Sequence, residues 1–345
     1  MDEEDHLSFF LEWYDPQADL TKPYILHFYG DETLELVERK TRRMFLKRIR
    51  IPTVSLKDLY IGASISIYSR QLTILEAANE YTRNQLQQQA TKATLLITPQ
   101  AYASMGKVVS AIEKGGEDLQ IVNVVMLQLD ATNVAAVNRH FSPMCSTSRL
   151  TKDVSVAIEV KLSAPNALED ARVRIEGLQL HDAVLVGECG LERIASPSAL
   201  PTTAVFDNCT LCLLKPSVLK ERRVGQLLDA ILGAGYEVSA LKTTHLTMAE
   251  ADEFFRVYKG IFRQYHEVLK YMTSGPCIAI EVRGEDVVRR FLEFCGPHDV
   301  QIARTLRPQS LRARFGTSNL HNAVHCTDCP EDGELETQFL FSPVS

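Results

Sequence analysis

The sequence predicts an α+β chain of several domains. A small β barrel or sandwich comes first, then two ferredoxin-like units of split βαβ type (βαββαβ), each an antiparallel sheet backed by helices. Three observations carry this. The first ninety residues break into short apolar runs closed by turn residues, a residue pattern recurs once along the chain, and the later copy alternates strand-like with helix-like periods. A length of 345 residues fits two or three domains. The expected divisions are residues 1–90, 91–203 and 204–345.

The β domain is read from its punctuation. The aromatic-rich run from Leu7 to Tyr14 stops at Asp15-Pro16, and Tyr24 to Tyr29 stops at Gly30-Asp31. Thr33 to Val37 alternates as a hairpin partner would, and Ala63–Tyr68 and Gln71–Leu75 repeat the pattern. Residues 76–92, with Gln85 and Gln87-Gln88-Gln89, read as a polar linker with helical character.

The repeat rests on three correspondences. Thr94–Pro99 parallels Thr210–Pro216, Gly106–Ile112 parallels Gly225–Ile231, and Gly116 parallels Gly235. The offset is 215 − 98 = 117 at Thr98 and Lys215, and 225 − 106 = 119 at the first glycine pair. A period this long is a duplicated domain, not a solenoid. In the later copy, strand Thr210–Leu214 precedes a helix with Val224, Leu227, Leu228 and Ile231 on one face. Strand Glu237–Leu246, helix Ala249–Tyr258, strand Cys277–Val282, helix Glu285–Phe294 and a closing strand near Gln338–Phe341 follow. The stretch from Leu162 to Thr203, with turns at 164–166 and 196–198, should hold the end of the first copy and a connection.

Composition narrows the function classes. Charged residues make up 23% and hydrophobic ones 45%, which is globular. The net charge of −7 argues against a general nucleic-acid binder. No apolar run is long enough to span a membrane, and the acidic start has no basic n-region or apolar h-region. A reducing cytosol is expected, with eight cysteines as free thiols. Cys209-x-x-Cys212 and Cys326-x-x-Cys329 together spell a paired CxxC pattern. The first pair enters a strand, where positions i and i+3 face opposite sides, so no metal is expected.

The chemistry gathers in the last third. Lys215-Pro216 places an ammonium at a strand end, Pro308–Arg312 offers an arginine in a turn, and Asn322-Ala323-Val324-His325 offers an amide and an imidazole. Thr327, Glu334 and Glu336 follow. Lys, Arg, Asn and Thr are donors that hold phosphate oxygens, and a neutral imidazole is a nucleophile near pH 7. A carboxylate on its other nitrogen would fix the tautomer.

Residues 205–343 resemble nucleoside diphosphate kinases. The match runs in order through Lys215-Pro216, Gly225, Gly235, Ser274-Gly275-Pro276, Gly296, the Arg-Pro-x-Ser-Leu-Arg run at 307–312, Asn322-Ala323-Val324-His325 and Glu336. The resemblance implies that His325 is a phosphohistidine nucleophile and Glu336 its orienting carboxylate. Lys215, Arg312, Asn322 and Thr327 would hold the nucleotide, with Mg²⁺ arriving on ATP. It also marks departures. The active-site Tyr position falls on Phe255, a phosphate-binding Arg on Leu292, a Thr on His298, and the Asp after Lys-Pro on Ser217. Each lost charge-assisted bond would cost about 1.5–3 kcal/mol. Weak phosphotransfer is therefore expected, with Arg289, Arg290 and Arg304 as candidates to compensate. The first copy has Thr98 where Lys215 stands, and its His140 and His181 fall outside any such motif, so it reads as catalytically dead.

The N-terminal set Glu12–Pro16, His27-Phe28-Tyr29, Phe45–Arg48, Leu59–Gly62 and Tyr68–Leu72 resembles a small PH-like β domain. That domain precedes two kinase-like domains in a ciliary branch of the same family. The resemblance implies a structural protein inside axonemal doublet microtubules of cilia or flagella, with tubulin and neighbouring axonemal proteins as partners. The alternative is an active kinase transferring the γ-phosphate of ATP through His325. One physical feature fits docking. Seven cations fall within residues 39–50, and Arg42, Arg43, Lys47 and Arg48 are the candidates to meet acidic tubulin.

Overall fold

The computed structural model describes residues 6–342 except 16–19, 53, 55, 57–58, 60–62, 69, 84, 86–91, 143–145, 165, 181, 195–200 and 262–263. The Gln87–Gln89 run, the 196–198 turn and His181 lie outside the described residues. The chain divides into two compact units, Met1–Thr91 and Lys92–Ser345.

The first unit is an antiparallel sheet of six strands. They are β1 (Leu7–Asp15), β2 (Leu20–Phe28), β3 (Thr33–Glu38), β4 (Met44–Arg50), β5 (Ser64–Ile67) and β6 (Arg70–Ala77), in the order β4-β3-β2-β1-β6-β5. The alternation that predicted the strands also sorts their faces. Phe9, Leu11, Leu26, Leu34, Leu36, Leu72 and Ile74 are buried together, each contributing about 1.5–3 kcal/mol. Strand β6 runs on to Ala77, so the first two residues of the expected linker belong to the sheet. Residues 80–83 are helical.

The second unit holds both copies in one nine-stranded sheet. Its strands are β7 (Lys92–Ile97), β8 (Leu119–Leu127), β9 (Phe141–Ser142), β10 (Ser155–Leu162), β11 (Val184–Gly187), β12 (Cys209–Leu214), β13 (Glu237–Thr244), β14 (Cys277–Arg283) and β15 (Val324–Cys326). The order is β15-β12-β14-β13-β8-β10-β7-β11-β9. Each copy contributes four strands in the same order from its outer edge, fourth-first-third-second, with antiparallel pairing throughout, and the first copy adds the two-residue β9 beyond β11.

The copies join across a pseudo-twofold axis that the repeat offset locates. Val124 N–H donates to Thr243 Oγ1 at 2.9 Å, and 243 − 124 = 119. The helices Met105–Glu113 and Val224–Gly233 pack at their glycines. A Cβ on Gly106 would come within 2.5 Å of Asp229 N, and one on Gly225 would overlap Ser110 N, the same contact with the copies exchanged. The Tyr102 hydroxyl donates to Val238 O at 2.9 Å and accepts from Val238 N–H at 2.7 Å. Glu113 accepts from Val224 N–H at 2.8 Å and Gly225 N–H at 3.1 Å, capping the partner helix.

Two expectations are corrected. The closing strand is not 338–341, because Gly333–Phe341 is a helix. Its apolar run looks strand-like, yet Thr337, Leu340 and Phe341 are buried at helical spacing while Leu335 and Phe339 face outward. The sheet is closed instead by β15, three residues long, too short for a period-two signal. Arg312 lies not in a turn but in the helix Leu311–Phe315. Helices Tyr265–Met272 and Val300–Leu306 add to the expected set. The stretch from Leu162 to Thr203 carries helix Ala167–Glu176 and β11.

Candidate functional site

The site is built where β12 ends beside β15. Strand β12 is fully buried and gives way at Lys215 to Pro216, whose fixed φ suits the first position of the short Pro216–Lys220 helix. Lys215 is thereby held at the sheet edge, only 5% exposed. In β15, alternation decides what faces where. Val324 and Cys326 join the main core with Cys212 and Leu214, while His325, opposite Leu213, turns to the other face. There it meets Phe254, Phe255 and Tyr258 edge-on, with ring centroids 5.2, 5.5 and 6.1 Å away.

The imidazole is oriented from behind. His325 Nε2 lies 3.0 Å from Glu336 Oε2, and Thr327 donates its hydroxyl to the same oxygen at 2.9 Å. A carboxylate accepts, so Nε2 carries the proton and Nδ1 keeps its lone pair. This is the nitrogen a nucleophile would use.

Two buried cations stand beside it. Lys215 Nζ donates to Asn322 Oδ1 at 2.7 Å, and Asn322 Nδ2 donates to the His298 carbonyl at 3.1 Å. Arg312, 4% exposed, donates to the carbonyls of Gly296 at 2.7 Å and Val324 at 3.3 Å, and reaches Cys326 Sγ at 3.5 Å. Among the described residues neither cation forms an ion pair. Burial, and then the Arg312 charge, push Lys215 down to about 7. Burial and the same cations push His298 down to about 4. A cavity of about 330 Å³ opens onto Lys215, Arg312, His298 and His325. Unpaired buried cations around a cavity call for an anion.

The six residues predicted for the site converge, with divided roles. His325, Lys215 and Arg312 line the cavity. Asn322, fully buried, ties down Lys215. Thr327 is expected on the nucleotide, but its hydroxyl faces Glu336 and accepts from Leu211 N–H at 3.2 Å, so it orients the dyad. The candidates to compensate for Leu292 stay elsewhere. Arg289 pairs with Asp286, Arg290 donates to Glu285 O at 3.3 Å, and Arg304 donates to Ala313 and Gly316 carbonyls. Sequence reasoning missed Tyr258, whose hydroxyl donates to Asp328 Oδ2 at 2.6 Å at the cavity wall. No spacing signal joins two residues seventy positions apart.

In the first copy Thr98 donates its hydroxyl to Ala183 O at 3.0 Å. Leu96 pairs with Leu185 as Leu213 pairs with His325, so at an offset of 213 − 96 = 117 a leucine occupies the histidine position. The CxxC cysteines diverge. Cys209 Sγ faces Gly333 and Thr337, Cys212 lies in the main core, and Cys329 is exposed. Among the described residues no His, Cys, Asp or Glu group could hold a metal ion, and no helix is long and apolar enough to cross a membrane.

In the first unit, Arg42 and Arg43 are exposed between β3 and β4, and Lys47 and Arg48 are exposed on β4. Arg48 is tied down, 3.7 Å over the Tyr29 ring and bonded to Thr33 and Asp31. Arg42, Arg43 and Lys47 form no ion pair among the described residues.

Comparison with known proteins places this geometry. The family model for nucleoside diphosphate kinase matches residues 208–345. "Nucleoside diphosphate kinase homolog 7" of Mus musculus is 35% identical over 98% of this chain and 93% of its own length. The nucleoside diphosphate kinase of Aquifex aeolicus is 37% identical over 39% of this chain and 93% of its own. A crystal structure of the Aquifex enzyme covers the same share of this chain and 95% of its own, with a TM-score of 0.37.

Proposed function

Since the chain belongs to the nucleoside diphosphate kinase homolog 7 family, we propose that it is a structural protein of ciliary doublet microtubules that keeps a slow phosphotransfer site in its last copy. The observation that carries the second half is the pair of buried, unpaired cations beside an oriented imidazole. Nδ1 of His325 would attack the γ-phosphorus of ATP. The bond to the β–γ bridging oxygen breaks, ADP leaves, and phosphohistidine remains. An oxygen of a nucleoside diphosphate then takes the phosphoryl group and restores the imidazole. Glu336 holds the proton on Nε2 throughout, and Lys215 and Arg312 face the developing negative charge. Mg²⁺, arriving on the nucleotide, would neutralise part of the phosphate charge. The turnover is slow because Leu292 brings no guanidinium and none of Arg289, Arg290 and Arg304 lines the cavity.

The test is acid-labile labelling with γ-labelled ATP and Mg²⁺. Wild type should take up label that discharges to a nucleoside diphosphate, and His325→Gln should take up none. Equal labelling of both would end the phosphohistidine assignment. A wild-type rate equal to that of an ordinary nucleoside diphosphate kinase would favour a working enzyme over a scaffold.

Docking is supported by the exposed cations around β4. They would complement an acidic surface such as tubulin's, and steer its approach. Arg42→Glu with Arg43→Glu should abolish incorporation into axonemes while the first unit stays folded, because neither side chain forms an ion pair among the described residues. Normal incorporation of the double variant would remove the patch from the docking surface.

A further inference from the structure

A second groove, of about 800 Å³, opens along the seam between the two copies. The first copy supplies one wall with Glu113, Leu119, Gln120 and Ile121, and the second supplies the other with 216–217, 219–222, 274–276, Tyr271 and His321. Tyr271 and His321 form an aromatic corner, with ring centroids 4.5 Å apart and planes at 72°. The tyrosine is held in place, since its hydroxyl donates to Ser217 Oγ at 2.6 Å and accepts from Ser217 N–H at 3.2 Å.

The charges in the groove are unevenly committed. Glu113 is occupied by the amides of Val224 and Gly225, and Glu221 pairs with Arg223 at 3.3 Å. Lys220 and Arg222 line the same groove and form no ion pair among the described residues. Burial pushes the Glu113 carboxyl up to about 7, against the amides of Gly225 and Val224 and the more distant Arg222 charge, which forms no bond to it. Both carboxylates are therefore engaged, while two cations face the opening beside a fixed aromatic corner.

We propose that this seam groove binds a planar aromatic ring carrying a phosphate group, separately from the cavity at His325. The ring would pack on Tyr271 and His321 over the apolar floor of Leu119 and Pro216, and the phosphate would meet Lys220 and Arg222. The position gives such a ligand a route to the other cavity. Ser217 lies two residues after Lys215 and His321 directly precedes Asn322, and the 2.7 Å bond from Lys215 to Asn322 ties the two segments together. A bound ring braces both segments from outside. The first copy, with Leu185 and Thr98 at the positions of His325 and Lys215, thus supplies the wall that completes a site.

The probe is 4-methylumbelliferyl phosphate, titrated calorimetrically into the full chain at fixed ionic strength. Lys215→Met weakens anion binding in the first cavity and should retain seam binding. Lys220→Glu with Arg222→Glu, and separately Gln120→Trp on the opposite wall, should each weaken that binding at least tenfold. The phosphate-free 4-methylumbelliferone should bind at least tenfold more weakly than its phosphate. Binding lost in Lys215→Met and unchanged in both groove variants would assign the probe to the first cavity alone and overturn the proposal. So would no binding at millimolar probe, or equal affinity with and without phosphate. Because the groove variants lie in different copies, a folding defect in one leaves the other to decide.

Discussion

Lys215→Met is expected to weaken binding of inorganic pyrophosphate ten- to a hundredfold and yet to stabilise the ligand-free fold. The first effect is the loss of one charge-assisted contact, about 1.5–3 kcal/mol. The second follows from burial. Lys215 is 5% exposed and its amine sits near 7, well below the ordinary lysine value of 10.5. The unfolded chain therefore holds the proton more tightly than the folded one between pH 7 and 10.5. The cost of the buried charge is complete below pH 7 and disappears as pH rises towards 10.5. Replacing a buried charge by an apolar side chain of similar size can stabilise by about 1–4 kcal/mol, reduced here because Asn322 Oδ1 loses its donor. Urea unfolding at pH 6.5 and 9.5 reads the sign. The variant's advantage should be larger at pH 6.5, and an advantage that grows with pH would contradict a buried, depressed lysine. Pyrophosphate binding to wild type should weaken by up to tenfold per pH unit above 7, since the anion must draw a proton onto Lys215.

How far the site was legible depends on chain separation. Lys215, Arg312, Asn322 and His325 stood out because each belongs to a motif a few residues long. The dyad partner Glu336 came from the same ordered match, eleven positions on. The Tyr258–Asp328 bond spans seventy residues and the Lys215–Asn322 bond more than a hundred, and only the sheet order brings such pairs together. Thr327 shows the limit of motif reasoning. Its hydroxyl type was right for a phosphate ligand, but alternation along the chain after β15 turned it to Glu336 instead. The fold was legible where periodicity ran long, as in Val224–Gly233. It failed at 338–341, where an apolar run fits strand or helix equally until its neighbours choose. The two copies were visible as a repeat, but nothing periodic says that their edge strands β8 and β13 pair into one sheet.

Gly225→Val is expected to destabilise the second unit by about 3 kcal/mol or more, the range for forcing volume into a packed contact. The new Cβ would overlap Ser110 N and Oγ and stand 2.5 Å from Gly106 O, backbone that cannot swing aside. The contact also lies at the capped end of its helix, where Glu113 holds the amides of Val224 and Gly225. Moving the helix away would leave that buried carboxylate without either donor, which adds a desolvation cost of about 1–3 kcal/mol. Gly233→Ala is the matched control. It lies in the same helix, meets nothing within 4 Å, and should be neutral or stabilising by about 0.5–1 kcal/mol. Thermal unfolding separates them, at about 2–4 °C for each kcal/mol in a unit of this size. Equal midpoints for the two variants would mean that the helices do not meet at their glycines. A drop confined to Gly225→Val would show what the copy without a counterpart of His325 contributes to the fold. It supplies Gly106, Ser110, Glu113 and Tyr102 to the seam against which the Val224–Gly233 helix packs.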